Sequence, residues 1–242
     1  MQLKRHQKGF TLVEIAVVLV IIGLLLGGVL KGQELISSAR VRNLADQQAG
    51  IQAAYFGFID RYRAIPGDMP QPDADNAIQA NVTTGGSTGS GGTGANGVID
   101  PNWTEINAVW EHLSKAEFIQ GNYDGSGDQS TADTSPTNVF NGILLLVNDD
   151  GYADSATASG SSPPSRLLLY MGRYIPADIA RELDVKLDDA EPASGSLRNS
   201  TSTSPFGPLA TSDTACTKTA NSEEIWNVDV NPPSCVPVYL MR

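Results

Sequence analysis

Histidine, cysteine and basic residues are scarce in this chain. Its 242 residues hold two histidines, two cysteines and 16 Lys/Arg against 27 Asp/Glu, a net charge of −11. One histidine, His6, lies in a short basic N-terminal stub, which leaves His112 alone for any acid–base role. No H-E-x-x-H, Walker loop or Cys–His pair occurs. A lone histidine inside an apolar-periodic stretch reads as a packing or surface residue, so these absences argue against an enzyme. From Ala64 onward eight basic residues face 23 acids. A nucleic-acid partner wants a basic face, and this chain offers none. Such an acidic remainder fits a soluble head that attracts cations. Two cysteines, Cys216 and Cys235, are too few for a disulfide scaffold. In an exported chain an even count suggests one disulfide, closing a loop of about 20 residues worth on the order of 3 kcal/mol. The other reading is two free thiols.

What the chain does have is one long apolar run. Phe10 to Leu30 is 21 almost wholly apolar residues, about 31 Å as a helix and close to the thickness of bilayer hydrocarbon. Lys4, Arg5 and Lys8 precede it with no acid among them. A secretory signal peptide has a shorter core and a small-residue cleavage site after it. Here Gly27, Gly28, Val29, Leu30 and Lys31 follow the core instead. A membrane anchor with its basic stub in the cytoplasm fits better. Neither reading accounts for Glu14, a carboxylate inside the run that costs roughly 2.5–3.5 kcal/mol or more in hydrocarbon.

The residues KGFTLVE, with the basic leader before them and the apolar run after them, resemble the class III signal of type IV prepilins and type II secretion pseudopilins. The resemblance implies that a dedicated membrane peptidase cuts between Gly9 and Phe10 and that Phe10 becomes N-methylated. Glu14 then becomes the fifth residue. It is expected to meet the N-terminal amine of a neighbouring subunit during filament assembly. A paired carboxylate is tolerable in an apolar setting, and such a pair can set register.

Beyond Leu30 the helix is expected to continue. Val41, Leu44, Ile51, Tyr55, Phe58 and Tyr62 recur at helical steps and form one apolar stripe. Pro66-Gly67 is expected to stop it. A helix from Phe10 to Arg63 would be roughly 80 Å long. Four glycines, Gly23, Gly27, Gly28 and Gly32, interrupt its apolar part, but no proline does. Further on, residues 81–97 form a Gly/Ser-rich loop by composition. Residues 103–119 read as a helix with Ile106, Val109, Trp110, Leu113 and Phe118 on one face and Gly121 as C-cap. Residues 142–147, 166–171, 225–230 and 236–240 read as strands, the last on an edge because of Pro237. Residues 176–187 read as a short helix with Pro176 in its first turn.

The expected fold is α+β: a helical spine carrying a small, mostly antiparallel sheet head. The divisions are a leader at 1–9, a transmembrane or filament-core half at 10–30, an amphipathic half at 31–65 and a head at 66–242. YRAIPGDM (62–69), WEHLSKAEFIQG (110–121) and ELDVKLDDAEPASGSLR (182–198) resemble head segments of a branch of prepilin-type proteins. The Cys216–Cys235 pair is similar to the disulfide-bounded C-terminal loop of many pilins.

In residues 122–133, NYDGSGDQSTAD, Asn122, Asp124, Ser126, Asp128 and Asp133 fall at positions 1, 3, 5, 7 and 12 of an EF-hand loop, with Gly127 at position 6. Asn replaces the first Asp and Asp133 the bidentate Glu, so calcium here is an expectation resting on an imperfect match. Asn148, Asp149, Asp150 and Asp154 either join that site or form a turn.

The resemblance implies a structural subunit of a type IV pilus-like filament, with a type II secretion pseudopilin or a minor pilin or adhesin at a filament tip as alternatives. An uncut bitopic exported protein is the reading outside the family. The implied partners are other copies of the chain and related pilins, prepilin peptidase, an inner-membrane assembly platform and, before assembly, the membrane itself. The implied location is the inner membrane with the head in the periplasm, then a periplasmic or extracellular filament.

Overall fold

The computed structural model describes residues 12–78, 96–157, 161–202, 206–220 and 223–241. The leader, Gly9 and Phe10 lie outside them, as does most of the Gly/Ser loop. Two compact units divide between Arg40 and Val41. The first is the N-terminal part of helix α1, which runs Leu12–Tyr62 without a break. Its four glycines sit inside the helix with open space around them. Residues such as Leu12, Val17, Leu24 and Leu30 are exposed there.

The second unit is the head, and its core starts on α1. Val41, Leu44, Ile51, Tyr55 and Phe58 are buried, which is the stripe expected from the sequence, with Tyr62 packed at its border. The helix ends at Tyr62, within a residue of the expected Arg63. Arg63 takes a left-handed φ of 53° and closes onto the Ile59 carbonyl at 2.8 Å. Pro66-Gly67 instead shapes the turn that docks on the next long helix. Gly67 has φ 90°, and a Cβ there would meet Val109 Cγ2 at 2.5 Å and the Glu105 carbonyl at 2.8 Å. Only glycine allows that approach. A short helix α2, Gln71–Ile78, follows and was not foreseen.

Helix α3, Trp103–Lys115, is capped by Asn102, whose side chain accepts from the Glu105 N–H at 3.0 Å. Glu105 reaches back to the Asp100 N–H at 2.6 Å, a reciprocal cap. The expected apolar face is correct but incomplete, since every residue from Glu105 to Leu113 is buried. The C-cap differs from the expectation. Glu117, at φ 63°, takes the left-handed position assigned to Gly121, while the Phe118 and Ile119 N–H groups fold back onto the Leu113 carbonyl.

Strands β1 (Leu145–Asp149), β2 (Arg166–Tyr170), β3 (Leu197–Asn199) and β6 (Pro237–Leu240) form an antiparallel sheet in the order β1-β2-β6-β3. Helix α4, Ala177–Leu187, lies between β2 and β3 in sequence, with Pro176 at its N-cap rather than in its first turn. Strands β4 (Thr217–Ala220) and β5 (Glu223–Trp226) make a separate antiparallel pair. Leu145, Leu146 and Val147 are all buried, so β1 is covered on both faces. That explains a continuous apolar run in place of alternation.

Three strand expectations shift. Residues 142–144 pair with the loop at 136–138 through Leu144 N–H to the Pro136 carbonyl at 2.9 Å, so β1 starts late. Residues 228–230 form a turn, with the Asn231 N–H on the Asn227 carbonyl, so β5 ends at Trp226. Strand β6 is interior, not an edge. Pro237 is tolerated as its first residue, where its carbonyl accepts from the Met171 N–H at 2.9 Å and no N–H is required. Strands β3 and β4, too short and polar to read from sequence, complete the head.

His112 holds the α1–α3 turn in place. It is fully buried, its Nδ1 accepts from the Gly67 N–H at 3.0 Å, and its ring stacks on Phe58 with centroids 6.2 Å apart. Burial pushes its pKa down to about 4. The folded chain keeps it neutral while the unfolded chain protonates it below about 6.5. Its contribution is therefore complete above pH 6.5 and is lost as pH falls towards 4. Asp68, Glu105 and Asp184, all pushed up by burial, act in the opposite sense, so the effect must be read as a difference between variants. Asn can keep the bond to Gly67 without titrating. We predict that the loss of stability between pH 6.5 and 4 is shallower in His112→Asn than in wild type, measured by urea unfolding. Parallel acid limbs would contradict this role.

Candidate assembly segment and acidic loops of the head

Glu14 sits in the first described turn of α1, exposed on a helix surface made by Leu12, Val13, Ile15 and Val17. The aligned peptide dipoles favour a carboxylate near a helix N-terminus. The helix is long and apolar enough to cross a membrane by length and composition. An apolar helical face with one carboxylate can do two things. It can rest in lipid at the cost of that charge, or it can pack against other apolar helices if the charge meets a cation.

The expected calcium loop is an ordered excursion beside α3. The Asp124 N–H donates to the Asp133 carbonyl at 3.0 Å, and Asp124 Oδ1 accepts from the Ser126 N–H at 3.0 Å. Three loop carbonyls, of Ser126, Gly127 and Gln129, converge on the buried Asn107 Nδ2 at 3.2, 3.3 and 3.5 Å. Ser130 Oγ donates to Asn107 Oδ1 at 2.6 Å. An amide thus stands where these carbonyls meet, and Asn122, Asp124, Asp128 and Asp133 are exposed. The structure does not gather the carboxylates of Asp124, Asp128 and Asp133 into one group. The second acidic stretch begins as the end of strand β1, where Asn148 and Asp149 pair with β2. Asn148 Oδ1 accepts from Ile99 N–H, Asp149 accepts from the Tyr170 hydroxyl, and Asp154 pairs with Arg198 at 3.1 Å.

Among the described residues, the acids that do come together are Asp184, Asp188 and Asp189, each with one oxygen within 4.8 Å of the others. Asp184 is fully buried, and its Oδ2 accepts from Trp226 Nε1 at 2.8 Å while Oδ1 has no hydrogen-bond partner. Burial, with Asp189 and Asp188 adding to it, pushes its pKa up to about 7. The sequence signal was D-x-x-x-D-D at a helix end, which puts Asp184 and Asp188 on one face.

Cys216 and Cys235 are joined, with Cα atoms 5.7 Å apart and both sulfurs buried. The bond ties the residue before β4 to the one that pairs with Ile175 ahead of β6.

Residues 4–30 match the family model described as the prokaryotic N-terminal methylation motif. This is the signal of type IV prepilins and pseudopilins, and the chain carries it. The motif is that of a structural family, and it includes Gly9, Phe10 and Glu14. No curated protein and no solved structure matches the chain. The reading of the head therefore rests on its own residues.

Reducing the disulfide, or replacing both cysteines by Ser, should lower the stability of the head by about 3 kcal/mol. Urea midpoints of reduced wild type and of the double variant should fall together. A midpoint unmoved by reductant would show that the bond constrains nothing.

Proposed function

We propose that the chain is a structural subunit of a type IV pilus-like filament. The observation that supports this most is the methylation motif at residues 4–30 with Glu14 on an exposed apolar helix. Prepilin peptidase cuts between Gly9 and Phe10, and Phe10 is N-methylated. Before assembly the apolar helix holds the subunit in the inner membrane, with the basic stub inside and the acidic head in the periplasm. At the assembly platform the helix leaves lipid and packs against the helices of other copies. The carboxylate of Glu14 meets the new N-terminal amine of a neighbour. Each charge alone is costly in an apolar core, and together they neutralise one another and fix the axial register.

This pairing predicts a separation between membrane residence and assembly. Glu14→Val removes a charge that costs roughly 2.5–3.5 kcal/mol in hydrocarbon. Its level in the membrane should equal or exceed that of wild type. Its amount in sheared filaments should fall to background, measured by immunoblot of both fractions with processing checked by mass. A Glu14→Val subunit that enters filaments as wild type does would overturn the proposed role of the carboxylate.

A further inference from the structure

Two loops of the head lock into each other and hold up an exposed surface that packing of the head does not require. One is residues 138–142, ahead of β1, and the other is residues 171–174, after β2. The buried Asn138 side chain clamps both. Its Nδ2 donates to the Met171 and Arg173 carbonyls at 2.9 and 3.0 Å, and its Oδ1 accepts from the Phe140 and Gly142 N–H groups at 2.8 Å each. Gly142 and Gly172 let the two backbones meet. A Cβ on Gly142 would collide with the Arg173 backbone, and one on Gly172 would meet the Gly142 carbonyl at 2.7 Å.

The clamp presents Val139, Asn141, Arg173 and Tyr174. Val139 and Tyr174 are 41% and 51% exposed. Asn141 and Tyr174 take left-handed φ values of 63° and 68°. Asparagine tolerates that region, but a bulky ring there is a genuine outlier. Such strain persists only where the surroundings enforce it, and it gathers at functional surfaces. Arg173 is half-buried, with its guanidinium carbon 5.5 Å from the centre of the Tyr174 ring. Among the described residues it makes no ion pair, and its Nε is buried with no hydrogen-bond partner. A guanidinium is matched by a carboxylate in two-pronged contact, and no described carboxylate of the same chain reaches this one.

From Ala64 onward eight basic residues face 23 acids. The heads of two copies therefore repel unless a cation of one is set against carboxylates of the other. Arg198 and Lys218 are already engaged within the head, by Asp154 and Asp229. Arg173 is not. We propose that the Arg173–Tyr174 loop, with Val139 of the interlocked loop, is a head-to-head contact in which Arg173 of one copy meets a carboxylate on the head of the next. Tyrosine and arginine dominate the energetics of protein interfaces, and both are held rigid here before binding, which lowers its entropic cost. The contact is heterologous, since a basic aromatic surface on one copy meets an acidic surface on the other. Contacts of that kind repeat into rings or open helical arrays. The inference rests on the filament reading and adds the heads to what the N-terminal helices join.

Zero-length coupling tests it. Arg173→Lys puts an amine in place of the guanidinium, and a carbodiimide joins an amine only to a carboxylate in contact with it. Sheared filaments of this variant are coupled and separated on a denaturing gel, and the linked peptides are read by mass spectrometry. We expect multimers in which the peptide carrying the Arg173→Lys change is joined to an acidic peptide of another copy. Unassembled subunit in detergent should give no such link. Filaments whose multimers lack that peptide would overturn the proposal. Two further variants separate contact from folding. Tyr174→Gly relieves the backbone strain and Arg173→Gln removes the unpaired charge, so each should keep or raise the urea midpoint of the full-length protein in detergent. Each should lower the yield of sheared filaments by about fivefold or more, at wild-type level and processing in the membrane. Wild-type filament yield from both, or a midpoint that falls in both along with the yield, would also overturn the contact. A wild type that gives no sheared filaments would overturn the filament reading, and this inference with it, before any variant is compared.

Discussion

A single carboxylate in an apolar helix is the constraint around which this chain is organised. Hydrocarbon penalises Glu14, and the penalty is relieved only by neutralisation or by a partner. The methylation motif suggests both a position and a chemistry for that partner, because cleavage after Gly9 would create an amine on Phe10, four residues before the carboxylate in each copy. The rest of the N-terminal segment is nearly featureless apolar surface. In such a surface one charge can specify register where many similar Leu, Ile and Val contacts cannot.

The head meets a different requirement: it must be folded on its own terms while sharing a helix with the anchor. Its core begins at Val41 and Leu44, and the turn after α1 is fastened to α3 by Gly67 and His112. Trp110 is buried at its centre. The disulfide fixes the C-terminal part, where the strands are short and polar. A chain segment with little apolar surface to bury needs such a covalent tie. Acidic groups are concentrated in the head, and most are consumed by turns and caps, as Asp68, Glu105, Asp149 and Asp154 are. Asp184 is the exception, buried and only half satisfied.

Much of this was legible in the sequence, and the misses have physical causes. The long helix, its buried stripe, the apolar face of α3 and the cysteine pair were readable because each rests on periodicity or on a count, whereas the antiparallel arrangement of the sheet was implied by the resemblance. The end of α3 was misplaced because Glu117 adopts the left-handed backbone that Gly121 was expected to supply. Strand β6 became interior because Pro237 stands at its first position and no ladder bond needs its N–H. Strands β3 and β4 carry no apolar alternation of their own; pairing with β6 and β5 defines them. In the EF-hand-like stretch, spacing matched, yet Asn107, far away in sequence, draws the loop carbonyls to itself.

The most direct test of the account is the identity of the mature N-terminus. Intact mass and N-terminal peptide mass spectrometry on protein from its native membrane should give a chain starting at methylated Phe10. The Gly9→Ala variant should retain Met1 or its unprocessed leader. A wild-type chain that keeps its leader, or that is cut near Gly28, would deny Glu14 its amine and contradict the filament reading at its root.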